Sequence, residues 1–176
     1  MSAEATLREP RPDDAAALAA FARASFAATY APSHDGGRIA RHCDTVLSDD
    51  AVRGWLADPA QSLLLALRDH ELLGFVQWHR AAAPVAARAA VAVKRRYVAA
   101  DAHGSGLGRR LLDAVAERAR ADGADLLWLC VYAGNARALR FYARYGFEPI
   151  GRVPYTFVDQ TEDDLALGLR LAASSP

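Results

Sequence analysis

The chain reads as a mixed α/β domain, with a central, mainly antiparallel sheet and helices on both of its faces. Two observations predict this class: apolar runs of strand length dominate the first half, and strands alternate with amphipathic helices in the second. A length of 176 residues is that of one domain with a sizeable core, so residues 1–176 are expected to form a single unit; no internal repeat divides them.

The elements follow in order. Ala5 to Glu9 is a short first strand, and Pro12-Asp13-Asp14 opens a helix to about Tyr30, its acidic residues placed where the helix dipole favours them. Leu18, Phe21 and Phe26 can line one face of that helix. Residues 31–37 read as a loop, followed by two short helices, the second started by Ser48-Asp49-Asp50. Ser62 to Leu67 and Leu72 to His79 are apolar strands joined by the polar turn Arg68-Asp69-His70-Glu71, a hairpin signature. Ala81 to Ala90, low in complexity and carrying Pro84, is expected to be a mobile connection. Val91 to Ala99 is strand four. The helix after it turns Leu107, Leu111, Leu112 and Val115 inward and Arg110, Asp113, Glu117 and Arg118 outward. Asp125 to Tyr132 is strand five. A helix over 135–145 follows, with Asn135 as its N-cap and Gly146 just past its end. Phe147 to Val153 and Asp164 to Leu171 are the last strands.

Composition excludes several classes of function. With 21 basic and 21 acidic residues the formal charge is zero, so nothing marks a nucleic-acid partner or an acidic surface as the target. Cys43 and Cys130 stand alone, without metal-ligand spacing or a disulfide framework, so no metal is expected. Cys130 lies in an apolar strand, where a thiol is expected to be a buried small hydrophobe. No apolar run spans a bilayer, and Met1 to Ala5 lacks the parts of a signal peptide. A cytoplasmic protein without a membrane partner is the expectation.

Between strand four and its helix lies His103-Gly104-Ser105-Gly106-Leu107-Gly108-Arg109. Glycines at alternate positions let the backbone approach a ligand and take positive φ. The helix N-terminus behind them offers unpaired N–H groups and the positive end of a dipole, which together form an anion site suited to phosphate. The run is not a Walker loop, because Leu107 stands where that loop needs lysine. It is not a dinucleotide fingerprint either, because Arg109 stands where the third glycine belongs. A second motif lies downstream: Asn135-Ala136-Arg137-Ala138-Leu139-Arg140-Phe141-Tyr142-Ala143-Arg144-Tyr145-Gly146-Phe147.

Tyr97-Val98, a gap to Gly-x-Gly-x-Gly, and then Asn-x-x-Ala-x-x-Phe-Tyr-x-x-x-Gly-Phe resembles the Gcn5-related N-acetyltransferase (GNAT) superfamily over residues 5–171. Trp128-Leu129-x-Val131, Phe157, Asp159-Gln160, Asp163-Asp164-Leu165 and the early Phe26-x-x-Thr29-Tyr30 are similar to its PaiA-type polyamine acetyltransferase branch. The resemblance implies parallel but splayed strands four and five, with acetyl-coenzyme A entering the gap as co-substrate. It implies an N-acetyltransferase that moves the acetyl group by direct transfer to a primary amine, and it leaves a homodimer open.

Residue by residue, the resemblance places the pyrophosphate on the backbone of Gly104, Ser105, Gly106, Leu107 and Gly108, with Arg109 adding charge. His103 departs from the Arg or Gln usual there; it is either a phosphate donor or a solvated loop histidine. Tyr97 and Val98 hold the pantetheine arm, and the Val98 N–H is the oxyanion donor. Tyr142 is the general acid, because a phenol is protonated at neutral pH and can give its proton to a departing thiolate. Asn135 binds the pantetheine arm or caps the helix. The general base stays unassigned: Ala92, Lys94 and Cys130 stand where a glutamate is often found, and Asp101, His79 and Tyr132 are unranked substitutes.

The acceptor site implied by the resemblance lies around Phe26, Tyr30, Trp55, Trp78, Tyr155 and Phe157. A small-molecule amine is the expected partner and a polyamine the leading specific substrate, for which Asp44, Asp49, Asp50 and Asp159 are the available carboxylates. An amino acid, a peptide N-terminus, or a non-catalytic coenzyme A sensor are the alternatives.

Overall fold

A computed structural model of the chain describes residues 4–172. The elements in chain order are β1 (Thr6–Arg8), α1 (Ala15–Tyr30), α2 (Gly36–Thr45), α3 (Asp49–Ala57), β2 (Gln61–Arg68), β3 (Glu71–Arg80), β4 (Ala90–Val98), α4 (Leu107–Ala121), β5 (Leu126–Val131), α5 (Ala136–Tyr145), β6 (Glu148–Phe157) and β7 (Gln160–Arg170). The strands form a mixed sheet in the order β1-β2-β3-β4-β5-β7-β6. The pairs β1–β2, β5–β7 and β6–β7 are antiparallel, and β4–β5 is parallel. The parallel ladder runs from Ala90↔Leu126 to Val93↔Leu129, whereas β4 itself continues to Val98. The chain divides into two compact units, one of residues 4–77 with 95–111, the other of 78–94 with 112–172.

In the first unit, α1 is rich in alanine, the strongest helix former, and buries Leu18, Ala22 and Phe26. Its entry is fixed by Arg8, whose guanidinium makes two hydrogen bonds of 2.7 and 2.8 Å to the Asp14 carboxylate and holds that carboxyl below its ordinary pKa. Asp35 accepts from Arg38 N–H at 3.1 Å and so starts α2 at Gly36, two residues inside the expected loop. Ser48 caps α3 through Ala51 N–H at 3.1 Å, as its position predicts. The turn between β2 and β3 has Asp69 and His70 at φ 48° and 71°, the left-handed pair that a two-residue hairpin with matched twist requires.

His42 of α2 is buried, its ring stacked 4.2 Å from that of Phe26. Burial, and then the charge of Arg95, push its pKa down to about 4 from 6.5. The unfolded chain therefore takes up this proton first, and the His42 contribution to stability falls as pH drops from about 6.5 to about 4. Urea midpoints measured across that window should show the decline in the wild type and a shallower one in His42→Gln. Equal slopes in the two proteins would remove His42 as its source.

In the second unit, β5 pairs with β7 over six residues, and β7 forms a hairpin with β6 that reaches Phe157↔Gln160. The sequence pattern stops these strands at Val153 and resumes at Asp164; the observed hairpin is longer at both inner ends. Its outer part is exposed on most positions and carries Pro154, which is tolerated because β6 is the edge strand. Asp125 fastens the Ala81–Ala89 connection: its carboxylate accepts from Arg88 N–H and Ala89 N–H at 3.1 and 3.0 Å, and its own N–H donates to Ala89 O. Those backbone donors lower the Asp125 pKa.

Two expectations are corrected. Cys130 is exposed rather than buried, because its side chain lies on the outward side of β5, between the buried Leu129 and Val131. Arg110 is no solvated helix-face residue: it donates to Ala5 O at 2.8 Å and pairs with Glu4 at 3.1 Å, tying α4 to the N-terminal segment.

Candidate active site

The end of β4 is positioned by a glycine on the neighbouring strand. A Cβ built on Gly74 of β3 would lie 2.7 Å from Tyr97 O and 3.4 Å from Val98 Cα, so only glycine lets the strands approach here. The ring of Tyr97 packs 5.8 Å from that of Phe75. The ring of His103, in the turn beyond, places Nε2 3.0 Å from Val98 O, close enough for an N–H to donate to that carbonyl. The histidine thus braces the residue whose N–H the resemblance assigns to the oxyanion.

Of the turn itself, Gly104 and Gly106 have φ of +81° and +84°, a region that residues with a Cβ rarely enter. A Cβ built on either meets nothing within 4 Å, so the turn is open around both. Ser105 closes it from within: Oγ donates to Ala102 O at 2.7 Å and accepts from Leu107 N–H at 3.3 Å. The Leu107 side chain is buried, whereas Gly108 and Arg109 occupy the first turn of α4, with Arg109 exposed. Because Arg110 N–H is the first to bond back along the helix, to Gly106 O, the N–H groups before it lie at the end where the helix supplies no acceptor.

In the second unit, Asn135 Oδ1 accepts from Ala138 N–H at 3.1 Å, so its side-chain oxygen caps α5. Gly146 ends the helix at φ 114°, donating to Tyr142 O and Ala143 O. Tyr142 is buried at 7% exposure, its ring 5.5 Å from that of Phe147 and 5.3 Å from that of Phe141. Tyr145 does more than pack: its hydroxyl donates to Asp113 Oδ1 at 2.6 Å.

The acceptor candidates fall in both units. Phe26 and Tyr30 lie together, ring centroids 4.5 Å apart, and Phe26 is a core residue. Trp78, on β3 in the second unit, is buried with the Arg118 guanidinium 5.7 Å from its ring. Tyr155, on β6, is exposed, and Phe157 is buried. Of the acidic residues considered for a polyamine, Asp49 accepts from Arg23 at 3.0 Å and Asp50 from Arg53 at 2.6 Å, while Asp44 and Asp159 are exposed.

Three features were missed from sequence. Gly74 is one. The second is the role of Gly134 beside Tyr132: a Cβ on that glycine would meet the Tyr132 ring at 2.4 Å, so the glycine makes the slot in which the phenol lies. The third is a polar cluster in the first unit, where Arg95 stands 4.3 Å over Trp55 and donates to Gln77 at 2.7 Å. Strand alternation puts Arg95 on the same side of β4 as Tyr97 but does not reveal its partners on β3 and α3.

The Acetyltransferase (GNAT) family profile matches residues 18–147. The chain belongs to that family. An uncharacterized N-acetyltransferase of Mycobacterium tuberculosis is 30% identical to the GNAT chain over 154 residues, covering 88% of it and 96% of the relative. An L-methionine sulfoximine/L-methionine sulfone acetyltransferase of Pseudomonas aeruginosa is 43% identical over 58 residues, 33% of this chain and 34% of that protein. Among solved structures, the PaiA N-acetyltransferase of Thermoplasma acidophilum in complex with coenzyme A superposes with a TM-score of 0.80 at 19% identity, covering 96% of this chain and 99% of that one, a likeness of fold. The protein is therefore an N-acetyltransferase with the GNAT fold. Among the described residues, no helix is long and apolar enough to cross a membrane, and no group of three or more His, Cys, Asp or Glu side chains is placed to hold a metal ion.

Proposed function

We propose that this GNAT enzyme, acting as one domain over residues 1–176, moves the acetyl group of acetyl-coenzyme A directly onto a primary amine of a small molecule. The observation that carries the reading is the turn before α4, open around two left-handed glycines at the N-terminus of a 15-residue helix. Such a turn fits the pyrophosphate of coenzyme A, which needs backbone N–H donors, a favourable dipole and room for two phosphates.

In this reading the Gly104–Gly108 backbone holds the pyrophosphate and Arg109 adds charge. Tyr97 and Val98 hold the pantetheine arm, and His103, through Val98 O, keeps that strand end in place. The neutral amine attacks the thioester carbonyl and forms a C–N bond. The Val98 N–H donates to the oxyanion so formed. The C–S bond then breaks, and Tyr142 gives its proton to the departing thiolate while the amine's proton leaves to water. Asn135 orders the start of α5, the helix that carries Tyr142.

A polyamine is the acceptor that the sequence resemblance favours, but two of its four candidate carboxylates are bonded to Arg23 and Arg53. The relative named for methionine sulfoximine and sulfone supports an amino-acid-like acceptor instead.

Calorimetry with coenzyme A and acetyl-coenzyme A tests the reading first. Binding of both, with acetyl transfer to a member of an amine panel that includes spermidine, is expected. Binding without transfer to any amine would point to a sensor, and no binding by the folded protein would end the reading. Gly106→Glu should weaken coenzyme A binding at least about tenfold, because it sets a Cβ at positive φ and a negative charge facing the phosphates. Undiminished affinity in that variant would put the phosphate site elsewhere.

A further inference from the structure

Tyr145 makes a bond that acetyl transfer as described does not use. Its hydroxyl donates to Asp113 Oδ1 at 2.6 Å, joining the last residue of α5 to α4. A hydrogen bond to a carboxylate is roughly twice as strong as one between neutral groups, and it fixes an angle as well as a distance. The Asp113 end is firm, because α4 buries Leu112, Val115 and Ala116 around it in the sequence.

Tyr142 stands in the same last turn of α5, three residues before Tyr145, where two side chains are neighbours on a helix surface. That turn needs support from outside, since the last carbonyls of a helix have no partner further along it. Gly146 N–H and Phe147 N–H bond to the Tyr142 carbonyl and hold its backbone. Its ring packs 5.5 Å from that of Phe147 and 5.3 Å from that of Phe141. The Tyr145 ring packs on the same two, at 5.7 Å from Phe147 and 6.4 Å from Phe141. Aromatic pairs accept centroid separations from about 4.5 to 7 Å, so such contacts by themselves leave a cluster room to slide. The Tyr145–Asp113 bond takes up that freedom by tying the four rings to α4.

We propose that Asp113 and Tyr145 are positioning residues for Tyr142. Their bond sets the last turn of α5 so that the Tyr142 hydroxyl is held where a departing thiolate can take its proton. This rests on the reading of Tyr142 as the proton donor in acetyl transfer.

The test is a double-mutant cycle in kcat with Tyr142→Phe, Tyr145→Phe and the pair, at saturating acetyl-coenzyme A and the best amine of the panel. Tyr145→Phe keeps the ring and loses the hydroxyl, so kcat should fall about tenfold with coenzyme A affinity within about twofold. In the Tyr142→Phe background the same change should cost less than about twofold, because the group it positions is gone. With a thiophenyl ester as acyl donor, whose leaving group needs no proton, the Tyr145→Phe loss should vanish, whereas a general loosening of the fold would slow both donors alike. Asp113→Asn keeps an acceptor oxygen without the charge and should fall between the wild type and Tyr145→Phe. Wild-type kcat in Tyr145→Phe, or an equal fall in both backgrounds, would overturn the proposal. Should Tyr145→Phe fail to fold, Asp113→Asn decides: a fall in kcat that persists with the thiophenyl ester, or no fall at all, overturns it equally. Wild-type kcat in Tyr142→Phe would instead strike the underlying reading of Tyr142, and the proposal would go with it.

Discussion

Replacing Tyr142 by phenylalanine should lower kcat about 100-fold or more while leaving coenzyme A affinity within about twofold. The change removes one oxygen from a ring that is 7% exposed and packed against Phe141 and Phe147, so its apolar contacts are kept. The α5 end is built from the Tyr142 carbonyl, which accepts from Gly146 N–H and Phe147 N–H, and phenylalanine supplies that carbonyl equally well. Stability and cofactor binding therefore serve as internal controls. What disappears is a proton donor for the thiolate, and a cost confined to kcat is the signature of a group that acts in the transition state. A variant with wild-type turnover would take Tyr142 out of the mechanism. Thiophenyl esters, whose leaving group needs no proton, should react with both proteins at similar rates if the assignment is right.

Gly74→Ala should be the other severe change, although it adds only a methyl group far in sequence from either motif. The new Cβ would stand 2.7 Å from Tyr97 O, a backbone atom that cannot rotate away. The end of β4 must move, carrying with it the Val98 N–H assigned to the oxyanion, and misplacement of a reacting group by about 1 Å can cost about 100-fold in rate. Lower kcat and weaker acetyl-coenzyme A binding are both expected, along with a reduced melting temperature. Gly36→Ala is the matching control, because its Cβ would meet nothing within 4 Å and a helix gains from alanine. Wild-type kinetics in Gly74→Ala would show that the strands can separate without consequence.

What the sequence revealed and what it hid divide along a physical line. Asn135, Gly146, Ser48 and the Gly104–Gly106 turn were legible because each meets a demand of its own backbone: a cap, a left-handed residue, an open turn. The α4 positions Leu111, Leu112 and Val115 were legible because one helix period decides which side is buried. Gly74 was hidden, since its reason lies on another strand and depends on register. Arg95 was hidden for the same cause: among the consecutive cations Lys94, Arg95 and Arg96, it is the cross-strand partner Gln77 and the α3 residue Trp55 that set one apart from the next. The outer part of the β6–β7 hairpin showed no alternation of polar and apolar residues because little of it is buried. Cys130 misled because an apolar run gives no sign of which of its side chains meet solvent.

That cysteine has a practical side. Of the two thiols in the chain, Cys43 is buried in α2, where burial raises its pKa, and Cys130 is exposed on β5. A maleimide dye applied at mildly alkaline pH should therefore attach at one position without any cysteine having to be engineered in or out. The natural chain is in this sense already prepared for fluorescence work, with its reporter on β5, the strand that leads into the Tyr132–Gly134 turn and α5.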